Sequence, residues 1–218
     1  MAGTLACLAA AAVEWAGLGR APVLSVAESL LLLAPAMGLG YICIETLSKS
    51  REGGLPILLS AAGAALTASI LAASAGPLCP WPAPPELAGP WLPAYAVTAF
   101  LGLGLLGAAA FQAVAFLVVE RISPASGERA GRGAFWCVCL GLPPMIWSLL
   151  VAAAWGQRSG GDVWTWSGRE VWALALVLVM AAYISLRHVG GWPERRSAWL
   201  LAGSVVVWAA ALVSAPMN

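Results

Sequence analysis

Long apolar stretches are the feature that most constrains how this chain can fold. A helix of about 20 apolar residues crosses the roughly 30 Å hydrocarbon core of a bilayer. Stretches of this kind cover residues 2–18, 27–44, 55–73, 94–119, 134–155, 170–186 and 198–213. Only 10% of the residues are charged, whereas a soluble domain carries about 25%. The sequence therefore predicts an all-α, polytopic membrane helix bundle of about seven transmembrane helices, with residues 1–218 forming a single membrane domain.

The composition argues against several kinds of site. The net charge of +1 provides no basic footprint for nucleic acid. The sequence has one histidine, His188. Of its five cysteines, Cys79 lies in a proline-rich segment. The other cysteines lie in apolar stretches, where we expect inert core thiols; they are Cys7, Cys43, Cys137 and Cys139. We therefore expect no protein-built zinc or copper site.

The cations between the apolar stretches predict an orientation in the membrane. Alternate loops hold one set of cations, Lys49, Arg51, Arg121, Arg129, Arg132, Arg187, Arg195 and Arg196. The remaining loops hold Arg20, Arg158 and Arg169. Because cytoplasmic loops are enriched in Lys and Arg, the first set is expected in the cytoplasm. The N-terminus is then cytoplasmic, and the C-terminus lies outside.

Two short stretches of the sequence predict local departures from straight helices. Residues 123–133, SPASGERAGRG, have the composition of a flexible connector. Pro143 and Pro144 lie inside the fifth apolar stretch, where we expect a kink.

A tryptophan-rich segment, GDVWTWSGREVW, occupies residues 161–172 within a predicted outer loop over residues 156–172. Trp164, Trp166 and Trp172 lie within nine residues, together with Glu170. Tryptophan at the end of a hydrophobic span is most often an interfacial anchor, with its ring against lipid and its N–H in water. A cluster of three also suits a ligand-binding surface, and both interpretations remain open.

Three glutamates lie near predicted outer helix ends: Glu14, Glu28 and Glu170. A carboxylate inside hydrocarbon costs about 2.5–3.5 kcal/mol at a helix centre. Near helix N-termini, Glu28 and Glu170 are favoured by the helix dipole. The alternative is a shared polar site, and the sequence does not decide between the two.

The segment from Arg132 onward resembles the cytochrome c assembly family of tryptophan-rich, haem-handling membrane proteins. Its tryptophan loop and following helix match the family pattern in order at Gly161, Trp164, Trp166, Glu170, Trp172, Ala173, Leu174, Tyr183 and Arg187. Upstream, Glu28-Ser29-Leu30 and residues 111–123, FQAVAFLVVERIS, are similar to one branch of the family.

The resemblance implies that haem is presented at the outer face of the membrane. It implies a flat apolar floor made by the indoles of Trp164, Trp166 and Trp172, with axial histidines from flanking regions holding the iron. The cofactor-contacting residues implied are these three tryptophans and Glu170, if haem is bound.

The chain also departs from the family pattern. Ser167 and Gly168 stand where the family has Asp and Pro, and Arg169 replaces Lys. Family histidines would fall near Phe100, near Val13 or Glu14, and beyond the last apolar stretch, and no histidine stands there. His188 lies on the predicted cytoplasmic side, where we expect a surface residue and no iron ligand.

Two functions follow from the resemblance and its departures. The one we favour at this point is a scaffold or accessory subunit of a membrane cytochrome complex, which has lost haem ligation, needs no cofactor, and is not an enzyme. Its partners would be lipid and cytochrome-containing subunits of a bacterial inner membrane. The alternative is an active haem-delivery protein in cytochrome c maturation. A transporter is less well supported, since Pro143 and Pro144 are its only hint of a broken helix.

Overall fold

The computed structural model describes residues 91–121, 124–158 and 162–214, together with Ala12, Leu33 and residues 35–38. Four helices account for most of them: α1 (Trp91–Val119), α2 (Pro124–Arg158), α3 (Gly168–His188) and α4 (Glu194–Val213). The predicted all-α class is confirmed. The first three apolar stretches, with Glu14, Glu28, Cys7, Cys43 and Cys79, lie outside the described residues apart from a few helical positions.

Helix α1 is more deeply buried than α2 or α3. Its apolar residues occur all round the helix, which is typical of a helix covered on every side. Three of its glycines allow the close approaches. A Cβ on Gly102 would lie 2.9 Å from Met145 in α2, and one on Gly104 would lie 2.5 Å from Ala36. The absence of side chains at these positions therefore sets how tightly the bundle packs.

The packing of α4 against α1 depends on the third glycine. The indole Nε1 of Trp208 donates a hydrogen bond of 2.8 Å to the carbonyl of Leu103. A Cβ on Gly107 would lie 2.6 Å from that nitrogen. Phe111 meets the same indole edge to face, with ring centroids 5.7 Å apart. Gly107 thus leaves the space that a buried tryptophan needs to reach a backbone acceptor.

The helices alternate in direction, so the bundle has two chemically distinct ends. At one end, the Arg158 guanidinium lies 5.0 Å from the ring centre of Trp91, and that of Arg169 lies 5.4 Å from the ring centre of Tyr95. We call this the tryptophan end; it also holds residues 162–167.

At the opposite, or arginine, end, Arg187 holds three helices together. Its Nη1 donates to the Gly131 carbonyl at 3.2 Å and to the Tyr183 hydroxyl at 2.7 Å. Its Nη2 pairs with Glu194 at 2.8 Å. Arg195 lies 3.9 Å from Glu120 nearby. Arg187 and Arg195, two of the cations predicted to share one side, therefore lie at the same end of the described helices, while the side of the membrane stays a prediction.

The expected flexible connector over residues 123–133 is wrong. Helix α2 begins at Pro124 and continues without a break through this stretch. Proline suits the first position of a helix because its missing N–H would be unpaired there. Gly127 and Gly131 cost helix propensity, but a Cβ on Gly131 would come within 2.5 Å of the Glu194 carboxylate. Packing that only glycine permits outweighs the local preference.

Among the residues that the structure describes, three helical stretches are long and apolar enough to cross a membrane: Trp91–Val119, Ala130–Arg158 and Gly168–His188. The chain is therefore a membrane protein. Helix α4, predicted as the seventh span, begins with Glu194, Arg195 and Arg196 and is not among the three. The predicted count of seven is not confirmed by the described residues. Pro143 and Pro144 lie inside α2, and a kink there stays a prediction.

Candidate functional site at the tryptophan end

Helix α3 begins with a capping box that fixes the tryptophan segment to it. The Ser167 hydroxyl accepts the backbone N–H of Glu170 at 3.4 Å, and the Glu170 carboxylate accepts the backbone N–H of Ser167 at 3.3 Å. Together these bonds satisfy donors that a helix N-terminus otherwise leaves unpaired. The non-helical part of the predicted outer loop is therefore shorter than residues 156–172, since α2 ends at Arg158 and α3 starts at Gly168.

Glu170 does more than complete the cap. The same carboxylate oxygen, Oε2, also accepts the backbone N–H of Thr165 at 2.9 Å and the Thr165 hydroxyl at 3.0 Å. Three donors from two loop residues converge on one oxygen of a side chain that is only 8% exposed. The sequence left open whether Glu170 favours the helix N-terminus or a polar site, and the cap contacts support the first interpretation.

The indoles of Trp164 and Trp166 meet edge to face. Their ring centroids are 5.9 Å apart and their planes cross at 78°. Trp166 has a φ of 54°, in the left-handed region that residues other than glycine rarely adopt. The expectation of a flat floor is wrong for this pair, because the two ring planes are nearly perpendicular.

The two indoles of the pair differ in their surroundings. Trp166 is 72% exposed, whereas Trp164 is half-buried. The Nε1 of Trp164 is buried and has no hydrogen-bond partner in the described part of the chain. A buried indole N–H usually finds an acceptor, so Trp164 is an exception within the described part of the chain.

A recess of about 120 Å³ lies beside the tryptophan segment. Its polar lining comes from Tyr95, Asp162, Thr165, Arg169 and Glu170. A smaller cavity of about 20 Å³, reaching Ser148 in α2, shares Tyr95, Arg169 and Glu170 with it. Volumes of this size can hold water molecules, so the tryptophan end has a partly polar recess large enough for water.

The other residues singled out by sequence lie apart from this pair. Trp172 is 40% exposed and lies two residues after Glu170, about 200° around α3. His188 ends α3, about 30 Å along the helix from its start at Gly168. It is exposed and meets Phe135 edge to face at 5.3 Å. The prediction that His188 is a surface residue is confirmed. Phe100, near the expected position of a family histidine, is buried in the core.

The sequence profile of the family described as "Cytochrome C assembly protein" matches residues 23–218. The chain belongs to the cytochrome c assembly family. The match spans the four described helices and the tryptophan segment, so the resemblance seen in the sequence is confirmed.

Several relatives in the family are cyanobacterial proteins named cytochrome c biogenesis protein CcsA. That of Trichormus variabilis is 36% identical over 101 residues, which is 44% of this chain and 29% of the relative. That of Microcystis aeruginosa is 35% identical over 117 residues, 53% of this chain and 35% of the relative. Both alignments cover about a third of the relative's length.

A longer alignment extends the similarity along the chain. The CcsA protein of Synechococcus elongatus is 27% identical over 260 aligned positions, covering 93% of this chain and 78% of that protein. Similarity therefore runs through the membrane bundle and is not confined to the tryptophan segment.

Sequence reasoning missed the residues that support the tryptophan segment. The pattern Ser167-x-x-Glu170 before an apolar run signals a capping box, so this contact was available in the sequence. The hydroxyl of Thr165 and the cation–π contact of Arg169 with Tyr95 join residues whose proximity no local pattern predicts.

Proposed function

We propose that this protein handles haem as cargo during cytochrome c maturation, and that the tryptophan end is where it contacts the porphyrin. The observation that carries the proposal is the match to the cytochrome c assembly family over residues 23–218, which includes a tryptophan segment held in a defined conformation by Glu170. The names of the relatives, cytochrome c biogenesis proteins, support the same process.

The chemistry of the tryptophan end suits a porphyrin. Trp166 offers an exposed aromatic face, and the half-buried Trp164 packs edge to face against it. Arg158 and Arg169 provide cations at the same end, which suit the propionate groups of haem. Haem supplies the iron and the macrocycle; the residues of this chain would bind and orient it.

The scaffold interpretation, in which haem chemistry has been lost, has no support in the fold or in the relatives. It rested on histidines missing from positions such as Phe100. The family membership and the names of the relatives favour the alternative, haem delivery. We therefore adopt the alternative as the proposed function.

The proposed location is a bacterial inner membrane, with the tryptophan end outside and the partners drawn from lipid and other components of cytochrome c maturation. The cations gathered at the arginine end support this orientation through the positive-inside rule.

Cytochrome c maturation in cells tests the proposal. A strain lacking its own copy receives the wild-type gene, the double variant Trp164→Ala/Trp166→Ala, or the control Trp147→Ala, which removes an indole that is 58% exposed on α2. Covalent haem in c-type cytochromes is measured by haem staining, with membrane levels of the protein checked by immunoblot. We expect loss of maturation in the double variant and normal maturation in the control. Normal maturation in the double variant would refute the role of the tryptophan segment.

A further inference from the structure

We propose that Glu170 is a positioning residue, which sets the orientation of Trp164 and Trp166 without touching the haem. The inference deepens the proposed function and rests on it, because it assigns the means by which the aromatic surface is formed. The contacts involved are those of Thr165, Ser167 and Glu170, which we call the carboxylate brace.

The hydrogen bonds that Glu170 accepts from Thr165 and Ser167 converge on a single carboxylate oxygen. Glu170 Oε2 accepts three hydrogen bonds, two from Thr165 and one from Ser167. These donors flank Trp166 directly, one residue before it and one after it. An ionised acceptor makes hydrogen bonds about twice as strong as a neutral one, so the carboxylate fixes the backbone on both sides of the exposed indole.

The backbone of Trp166 has a conformation that needs support from neighbouring residues. A left-handed conformation costs a non-glycine residue free energy, and it persists only where surrounding contacts enforce it. Trp166 adopts φ 54° between the two residues that the carboxylate holds. Without the brace, Trp166 would relax to a negative φ and its ring would leave the edge-to-face contact with Trp164.

Glu170 and Trp166 differ in how far they are exposed to solvent. Glu170 is 8% exposed, whereas Trp166 is 72% exposed. Although Glu170 also lines the polar recess, its Oε2 is occupied by the donors of Thr165 and Ser167. A planar ligand approaching from solvent therefore meets the exposed Trp166 indole before the glutamate.

Hydrogen exchange on the full-length protein in lipid nanodiscs tests the brace directly. In Glu170→Ala, the amide protons of Thr165 and Ser167 should exchange roughly tenfold faster or more. In Glu170→Gln, which keeps an acceptor oxygen, most of the protection should remain. The control Glu128→Ala removes an exposed glutamate in α2 and should leave both amides unchanged. Unchanged exchange of these amides in Glu170→Ala would overturn the brace.

Haemin titration of the same variants separates positioning from ligation. We expect Glu170→Ala to weaken haemin binding roughly tenfold, Glu170→Gln to restore most of the affinity, and the Soret maximum to stay in place for both. A Soret maximum that moves in Glu170→Gln would instead identify the carboxylate as an iron ligand and overturn the inference. If the wild-type protein binds no haemin, the proposed function fails, and the exchange rates alone then decide whether the brace exists.

Discussion

At Ser167, a hydroxyl occupies the position where the family pattern has an aspartate. Ser and Asp are both preferred N-cap residues, because either side chain accepts a backbone N–H of the first helical turn. Here the Ser167 hydroxyl accepts from Glu170. What counted in the sequence as a departure from the family is therefore compatible with the same structural role.

A pair of variants tests this equivalence. Ser167→Ala should lower the free energy of unfolding by about 1 kcal/mol, because the cap acceptor is lost. Ser167→Asp should leave stability unchanged or slightly higher, since a carboxylate also interacts favourably with the helix dipole. Thermal or denaturant unfolding in nanodiscs measures both. Equal losses in the two variants would show that the cap does not stabilise α3.

At the scale of the helices, sequence patterns located α1 and α3 to within about three residues but not the start of α2. Apolar composition identifies a span, and it carries no information on glycines that pack against another helix. The stretch 123–133 has loop-like composition, yet Gly131 lies where a Cβ would meet Glu194. Likewise, the spacing of Tyr183 and Arg187 places them on one helix face, but only the fold shows that Arg187 also reaches Gly131 and Glu194.

The contact between α1 and α4 gives a prediction at this scale. Gly107→Ala should destabilise the protein by about 1–3 kcal/mol, because the added methyl group would displace the Trp208 indole from its backbone acceptor. The matched control is Gly203→Ala in α4, where a Cβ meets none of the described residues within 4 Å. The control should be neutral or more stable by up to about 1 kcal/mol. Similar unfolding midpoints for both variants would contradict this packing.

The arginine end supplies a second prediction for the helices. Arg187→Lys keeps the charge but loses the planar group that serves Gly131, Tyr183 and Glu194 together. We expect a loss of about 1–2 kcal/mol of stability, because the ammonium cannot satisfy all three acceptors. Arg196→Lys, at an exposed position of α4, should change stability little. If the two substitutions had equal effects on the unfolding midpoint, Arg187 would not hold the helices together.

At the scale of the whole molecule, the proposed handling of haem at the outer face requires the tryptophan end to lie outside the cytoplasm. Val163 is 51% exposed at that end, and Val189 is 89% exposed at the arginine end. In a background without native cysteines, Val163→Cys should react with a membrane-impermeant maleimide added to intact spheroplasts. Val189→Cys should react only after the membrane is permeabilised. The reverse pattern would place the tryptophan segment in the cytoplasm and would contradict a function at the outer face of the membrane.

The family membership and the bundle class could both be read from the sequence, because they depend on composition and on a tryptophan pattern spread over few residues. The contacts that support the tryptophan segment could not be read from the sequence. Tyr95 and Arg169 are separated by 74 positions, and their contact exists only because α1 and α3 begin at the same end of the bundle.

Haemin titration of the purified protein in nanodiscs, followed by the Soret band, measures whether the tryptophan segment contacts haem. We predict saturable binding to the wild-type protein, binding at least roughly tenfold weaker in Trp164→Ala/Trp166→Ala, and unchanged binding in Trp147→Ala. Equal affinity in the wild-type protein and the double variant would contradict a haem-contacting role for the tryptophan segment.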